Sequence, residues 1–164
     1  MRKKRIIKIA AIVIFLALLT TGILIFTKGD PVLIISAPTS ISPETEFSVD
    51  ISIKHNPGIA VFVIDLKYDE TVFEFVSVEN GNLFTNELAV RDRDFDDYHA
   101  VRVMFTDLDA FQGNGVLYSV NLRVKPDAEL GDYNLDLSYS QGNIVKTPGQ
   151  QVNPDIKNAT VKVY

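Results

Sequence analysis

From Asp30 onward, apolar and polar residues alternate with a period of two in one run after another. Phe47, Val49, Ile51 and Ile53 alternate with Ser48, Asp50, Ser52 and Lys54. Phe62, Ile64, Leu66 and Tyr68 alternate with Val61, Val63, Asp65 and Lys67. Further sets are Val101, Val103 and Phe105; Val116, Tyr118, Val120, Leu122 and Val124; Tyr133, Leu135, Leu137 and Tyr139; and Val161 with Val163. Successive side chains of a strand point to opposite faces, so each set places one strand face in a core. Turn-forming residues separate the runs: Asn56-Pro57-Gly58, Asn80-Gly81, Gly113-Asn114-Gly115, Pro126-Asp127, Gly131-Asp132 and Pro148-Gly149. The pattern predicts an all-β sandwich of about nine short strands in the jelly-roll class, with a single helical turn at Asp69–Val72.

The N-terminal segment, Met1–Lys28, follows another pattern. Met1–Lys8 carries five positive charges, and Ile9–Thr27 then runs without a charge. As a helix this run extends roughly 28 Å, which matches a bilayer core of about 30 Å. The positive flank favours the cytoplasmic side and places the remainder outside. The expectation is a basic stub and single-pass anchor over 1–28, then one domain over 29–164 with the cell membrane as its location. A cleaved signal peptide and a secreted domain form the alternative. The apolar run is longer than such peptides use, and no Ala-x-Ala follows it. The last predicted strand runs to the end of the chain, so no second module is expected after it.

Composition narrows the function. There is no cysteine and no tryptophan in the sequence, and only two histidines, His55 and His99. Disulfide frameworks, thiolate metal sites and cysteine nucleophiles are thereby excluded. The stretch Met1–Gly29 holds six of the sixteen basic residues and none of the acidic ones, leaving ten against twenty-one, a balance of −11, in the rest. Such a domain repels nucleic acid. A glycosidase needs a cleft between two carboxylates and sugar platforms, which a small sandwich without tryptophan is poorly equipped to build.

Several segments together are similar to a known family. Ile64-Asp65-Leu66-Lys67-Tyr68-Asp69-Glu70 through Asn80-Gly81 resembles the cohesin signature in which a strand ends in Leu-x-Tyr-Asp-Pro, followed by an apolar strand and a Gly turn. Val103-Met104-Phe105-Thr106-Asp107 resembles the strand ending in Phe-x-Asp. Val124-Lys125-Pro126-Asp127-Ala128 and Gly131-Asp132-Tyr133 resemble the Val-Lys-x-x-Ala turn and the Gly-x-Tyr lead-in after it. The resemblance covers nearly all of 31–164. Glu70 departs from it, standing where proline is usual.

The resemblance implies a nine-stranded jelly roll without catalytic activity. Its partner would be a dockerin-bearing protein, with calcium on that partner and no cofactor on this chain. It also implies a binding face built from the family's third, fifth, sixth and eighth strands. Carried onto this sequence, the third strand offers Val61, Val63, Asp65 and Lys67. The fifth, about Leu88–Asp92, offers Ala89 and Arg91. The sixth offers Arg102 and Met104, and the eighth Asn134, Asp136 and Ser138. Val61 and Val63 replace polar residues common in the family, leaving either an apolar contact patch or, for Val61, cover by the 56–60 loop. A mixed patch with an apolar centre and charged rim suits a protein partner.

A carbohydrate-binding module and a structural ectodomain of an envelope complex remain as alternatives, and polysaccharide as an alternative ligand. Against a sugar platform, Tyr68, Tyr118, Tyr133 and Tyr139 fall on the inward register, leaving Tyr98 and Tyr164 free. The acidic run Asp92–Asp97 lacks the glycine and closing glutamate of an EF-hand loop and reads as a solvated hairpin tip. His55 and His99 read as isolated surface or loop histidines. Asn158-Ala159-Thr160 fits the glycosylation pattern inside a predicted strand.

Overall fold

The computed structural model describes residues 29–164 apart from Asp96. The expected anchor or signal segment, 1–28, lies outside the described residues. Among those described, no helix is long and apolar enough to cross a membrane.

The alternating runs fold as strands: β1 (Val32–Ser36), β2 (Ser40–Ile41), β3 (Glu46–Lys54), β4 (Ile59–Lys67), β5 (Phe73–Asn80), β6 (Ala89–Asp94), β7 (His99–Phe111), β8 (Gly115–Val124), β9 (Gly131–Ser138), β10 (Ile144–Lys146), β11 (Gln150–Gln151), β12 (Asp155–Lys157) and β13 (Ala159–Val163). The described residues thus hold thirteen strands where about nine are expected. β2, β10, β11 and β12 have only two or three residues each, too few to leave a periodic trace.

Two sheets face each other. One has the order β12-β1-β3-β8-β5. In the other, β4 is central. β7 and then β6 extend from one edge, while β10 and β9 share the opposite edge, with β13 and β2 beyond β9. The alternation settles which side faces in. Val49, Ile51, Phe62, Leu66, Val101, Val103, Val120, Leu122, Leu135 and Val161 are buried between the sheets. One end of the core is aromatic: Phe62 stacks on Phe105 at 5.3 Å and on Tyr118 at 5.9 Å, with Phe84 and Phe111 against them. Of the four tyrosines expected inward, Tyr68 and Tyr118 are buried, whereas Tyr133 and Tyr139 are only half-buried.

Two local departures have clear causes. On β8, Val116 pairs with Ser52 and Tyr118 with Ile51, so a bulge falls at Leu117. The bulge breaks the alternation, and Leu117 is fully buried beside Tyr118. Gly81 sits where the β5 end crosses this bulge. Its amide donates to the Leu117 carbonyl at 2.9 Å, and a Cβ there would lie 1.9 Å from the Val116 carbonyl oxygen.

The connection from β4 to β5 crosses from one sheet to the other. The amides of Val72 and Phe73 both donate to the Asp69 carbonyl, while the Thr71 amide and hydroxyl donate to Oδ1 of Asp69. This is the expected single turn, held by its aspartate.

Candidate partner-binding face

Strand pairing sets which residues share the outer face of the β6-β7-β4-β9 sheet. Across β6, β7 and β4, Ala89 pairs with Met104 and Met104 with Val63. The next row is Arg91, Arg102, Asp65 and Ser138. Lys67 pairs with Asp136, and Asn134 lies two positions further along β9. The structure therefore brings Val61, Val63, Asp65, Arg91, Arg102, Met104, Asn134 and Asp136 onto one face. The β6 strand extends past its expected end at Asp92 to Asp94. Val61 pairs with Val145 of β10; both it and Val63 are half-buried.

Within that face, Asp65 and Arg102 differ from expectation. Both are expected as outward groups, yet the Asp65 side chain is only 6% exposed. Arg102 grips it with two bonds, Nε to Oδ1 at 2.7 Å and Nη2 to Oδ2 at 2.8 Å. The Tyr98 hydroxyl donates to Oδ2 at 3.0 Å. The cover comes from the β6–β7 hairpin tip, closed by the Phe95 amide bonding to the Tyr98 carbonyl at 2.8 Å. Phe95 and Tyr98 stack at 4.8 Å. Lys67 sits over the Tyr98 ring, and Arg93 and Arg102 against the Phe95 ring. A buried carboxylate needs such pairing, because its charge is costly in a low-dielectric setting. The hydrogen bond to Asp65 raises the Arg102 guanidinium above its ordinary range, against the effect of burial. Tyr98 is therefore tied down rather than free. No sequence period marks a hairpin tip that folds back over its own sheet.

At the end of the sandwich beyond this tip, sequence reasoning missed a cluster. His99 begins β7 opposite Asp94, the last residue of β6. Its Nδ1 lies 2.7 Å from Asp94 Oδ1 and 3.2 Å from Glu70 Oε2. Its Nε2 lies 2.9 Å from Asp92 Oδ1 and 2.9 Å from the Tyr68 hydroxyl, which donates to the same Asp92 oxygen at 2.8 Å. Burial of the ring works against its charge. The hydrogen bonds to Asp94 and Asp92 and the charges of Asp92 and Glu70 outweigh it and raise His99 above the usual imidazole range. His99 is thus not isolated, and Asp92 and Asp94 are not merely a solvated tip. The whole of β5 and β6 separates Glu70 from His99 in the chain, which hides the association in the sequence. His55 instead bonds through Nδ1 to the Asp30 carbonyl at 3.0 Å. The Asn158 side chain is occupied by Asp136 and the Leu137 amide.

The arrangement is that of a two-sheet β-sandwich presenting one nearly continuous sheet face, a shape suited to surface complementarity. The cohesin domain profile matches residues 31–163, and the chain belongs to that family, whose members are non-catalytic binding modules. No curated protein matches the chain. Among solved structures, it is similar to a non-cellulosomal cohesin from the archaeon Archaeoglobus fulgidus, at 20% identity and a TM-score of 0.65, covering 83% of this chain and 92% of that one. It is also similar to the sixth cohesin of scaffoldin B from Acetivibrio cellulolyticus, solved with a Cel5 dockerin mutant, at 18% identity and 0.70, covering 83% and 100%. A third is the cohesin in the OlpC type I cohesin–dockerin complex from Clostridium thermocellum, at 16% identity and 0.68, covering 82% and 93%. At these identities the structural likeness concerns the fold.

Proposed function

We propose that this chain is a tethering module that captures a dockerin-type protein through the outer face of β6, β7, β4 and β9. The observation that carries this reading is the apolar row Ala89–Met104–Val63 across three strands of that face, with Arg91, Lys67, Asn134 and Asp136 along its polar side. An apolar centre with a polar rim is the anatomy of protein interfaces. Asp65 and Arg102 enter this reading as a prebuilt rim, already ordered by Tyr98, so that little side-chain entropy is lost on docking. The dockerin complexes of structural relatives support the partner class. Calcium belongs to the partner in this reading. The apolar stretch Ile9–Thr27 would hold the module at the outer face of the cell membrane.

A sugar platform has less support. Aromatic rings that bind sugar need a free face, and the two rings at the hairpin tip are stacked on each other and flanked by Lys67, Arg93 and Arg102.

The test is capture of secreted and surface proteins by the full chain in mild detergent, with calcium and again with a chelator. The expected result is a partner bearing paired calcium loops, lost on chelation. Val63→Asp and Ala89→Asp, which put a charge into the apolar row, are each expected to weaken its binding by about 2 kcal/mol or more. A calcium-independent partner, or one indifferent to both substitutions, overturns the assignment of this face.

A further inference from the structure

The cluster at the mouth of the sandwich has no role in the docking face. Glu70, Asp94 and His99 come from the β4–β5 turn, the end of β6 and the start of β7. Their donor atoms all lie within 4.8 Å of one another. Nothing in β-sandwich folding requires two carboxylates to converge on one imidazole nitrogen. A single Nδ1–H can serve only one of them fully, here Asp94.

Three observations point to a cation larger than a proton. First, among the described residues, neither Glu70, Asp92 nor Asp94 has a lysine or arginine partner; His99 is the sole ion-pair partner of all three. Lys125 lines the same recess without pairing to them, so the three carboxylates converge on the imidazole alone. Second, the far side of the ring is already fixed. Nε2 meets Asp92, and the buried Tyr68 hydroxyl pins that carboxylate. A carboxylate on one imidazole nitrogen selects the tautomer whose other nitrogen carries the lone pair, and it makes that nitrogen a stronger ligand. Here the other nitrogen is Nδ1, whose proton serves Asp94 without an ion and is displaced when an ion binds between Glu70 and Asp94. Third, Glu70 and Asp94 are exposed at 55% and 76%, so they can adjust and leave further positions open to water. Donors around a tetrahedral ion with bonds near 2.1 Å lie about 3.4 Å apart. Glu70 lies 3.2 Å from Nδ1, close to that spacing, whereas Asp94 at 2.7 Å must draw back by about 0.7 Å, which its exposed side chain allows.

We propose that His99 Nδ1, Glu70 and Asp94 form a binding site for a first-row transition-metal dication of the zinc class, with Asp92 and Tyr68 as its supporting shell. The imidazole ligand selects against calcium, which takes oxygen donors. Glu70 stands where the family pattern places proline. An ion there ties β6 and β7 of one sheet to the turn that opens β5 of the other. The site is independent of the docking face.

The test uses the untagged full chain in mild detergent, with Zn2+ as probe and Co2+ for its visible spectrum. The expected result is one Zn2+ per chain, raised thermal stability and a Co2+ spectrum of nitrogen–oxygen coordination. Glu70→Gln and Asp94→Asn, both at exposed positions, each weaken binding at least tenfold. Asp92→Asn weakens it about 10- to 100-fold, as supporting carboxylates do, and His55→Asn leaves it unchanged. Nitrogen-15 spectra of the two histidines then show His99 protonated at Nε2 alone once zinc is present. Binding that survives Glu70→Gln and Asp94→Asn overturns the proposal. So does calcium competing equally with zinc. A His99 ring that keeps protons on both nitrogens in excess zinc identifies the cluster as a salt-bridged imidazolium only, and overturns it too.

Discussion

At the scale of single residues, the most exacting contact is Asp65 with Arg102. Removing one member of a buried pair leaves the other charge uncompensated, at a cost of about 3–5 kcal/mol. Arg102 is a quarter exposed, which places Arg102→Met at the low end, about 3 kcal/mol. The Asp65→Asn/Arg102→Met double variant is expected to recover most of that loss, read as the midpoint of urea unfolding. Tyr118 is the opposite case. It is fully buried, and among the described residues its hydroxyl has no hydrogen-bond partner. An unpaired buried hydroxyl costs about 1–3 kcal/mol, so Tyr118→Phe is expected to stabilise the protein. Burial, and then the charge of Asp65, raise the Tyr118 phenol well above its ordinary value. It therefore keeps its proton in the fold after the unfolded chain has released one, above a pH of about 10. Its contribution is fully present below that pH and declines above it, by up to ~1.4 kcal/mol per pH unit. Stability measured from pH 8 to 11 is expected to fall less steeply in Tyr118→Phe than in the parent. Equal slopes would show that the phenol ionises in place.

At the scale of elements, two short connections control where side chains go. The Leu117 bulge carries both Leu117 and Tyr118 inward, and Gly81 is what lets the β5 end lie on it. Gly81→Ala places a Cβ against the Val116 carbonyl, and backbone there has little room to yield. A loss of about 1–3 kcal/mol is expected, the range for overpacking. Hydrogen exchange should quicken first at Gly81 and Asn82, whose amides bond to Leu117 and Val116. The β6–β7 hairpin shows why element-level patterns stop short of a site. Alternation alone places Asp65 outward, and register confirms that side. Only the tip, folding Tyr98 and Phe95 back over the sheet, converts an outward aspartate into a buried one.

At the scale of the whole molecule, the two ends of the domain are interlocked. β1 pairs in parallel with β12, the Asp155 amide bonds to the Pro31 carbonyl, and β13 lies between β9 and β2. Deleting Asp155–Tyr164 removes a neighbour of β1 and bares the edge of β9. The expected outcome is a chain without cooperative thermal unfolding by circular dichroism. An intact transition in that truncation would show that the sandwich closes without its C-terminal strands. Within this frame, the sequence by itself determined the all-β class, the inward register of most strands, the family and the set of positions on the outer face. Those features follow from local periodicity and short motifs, which physics reads over a few residues. The tertiary structure alone decided which charges are free. Asp65, Arg102 and Tyr98 form one unit, and Glu70 joins Asp92, Asp94 and His99. Sheet pairing and a folded-back hairpin bring these residues together from separate strands and turns, across intervals of chain over which no periodic signal survives.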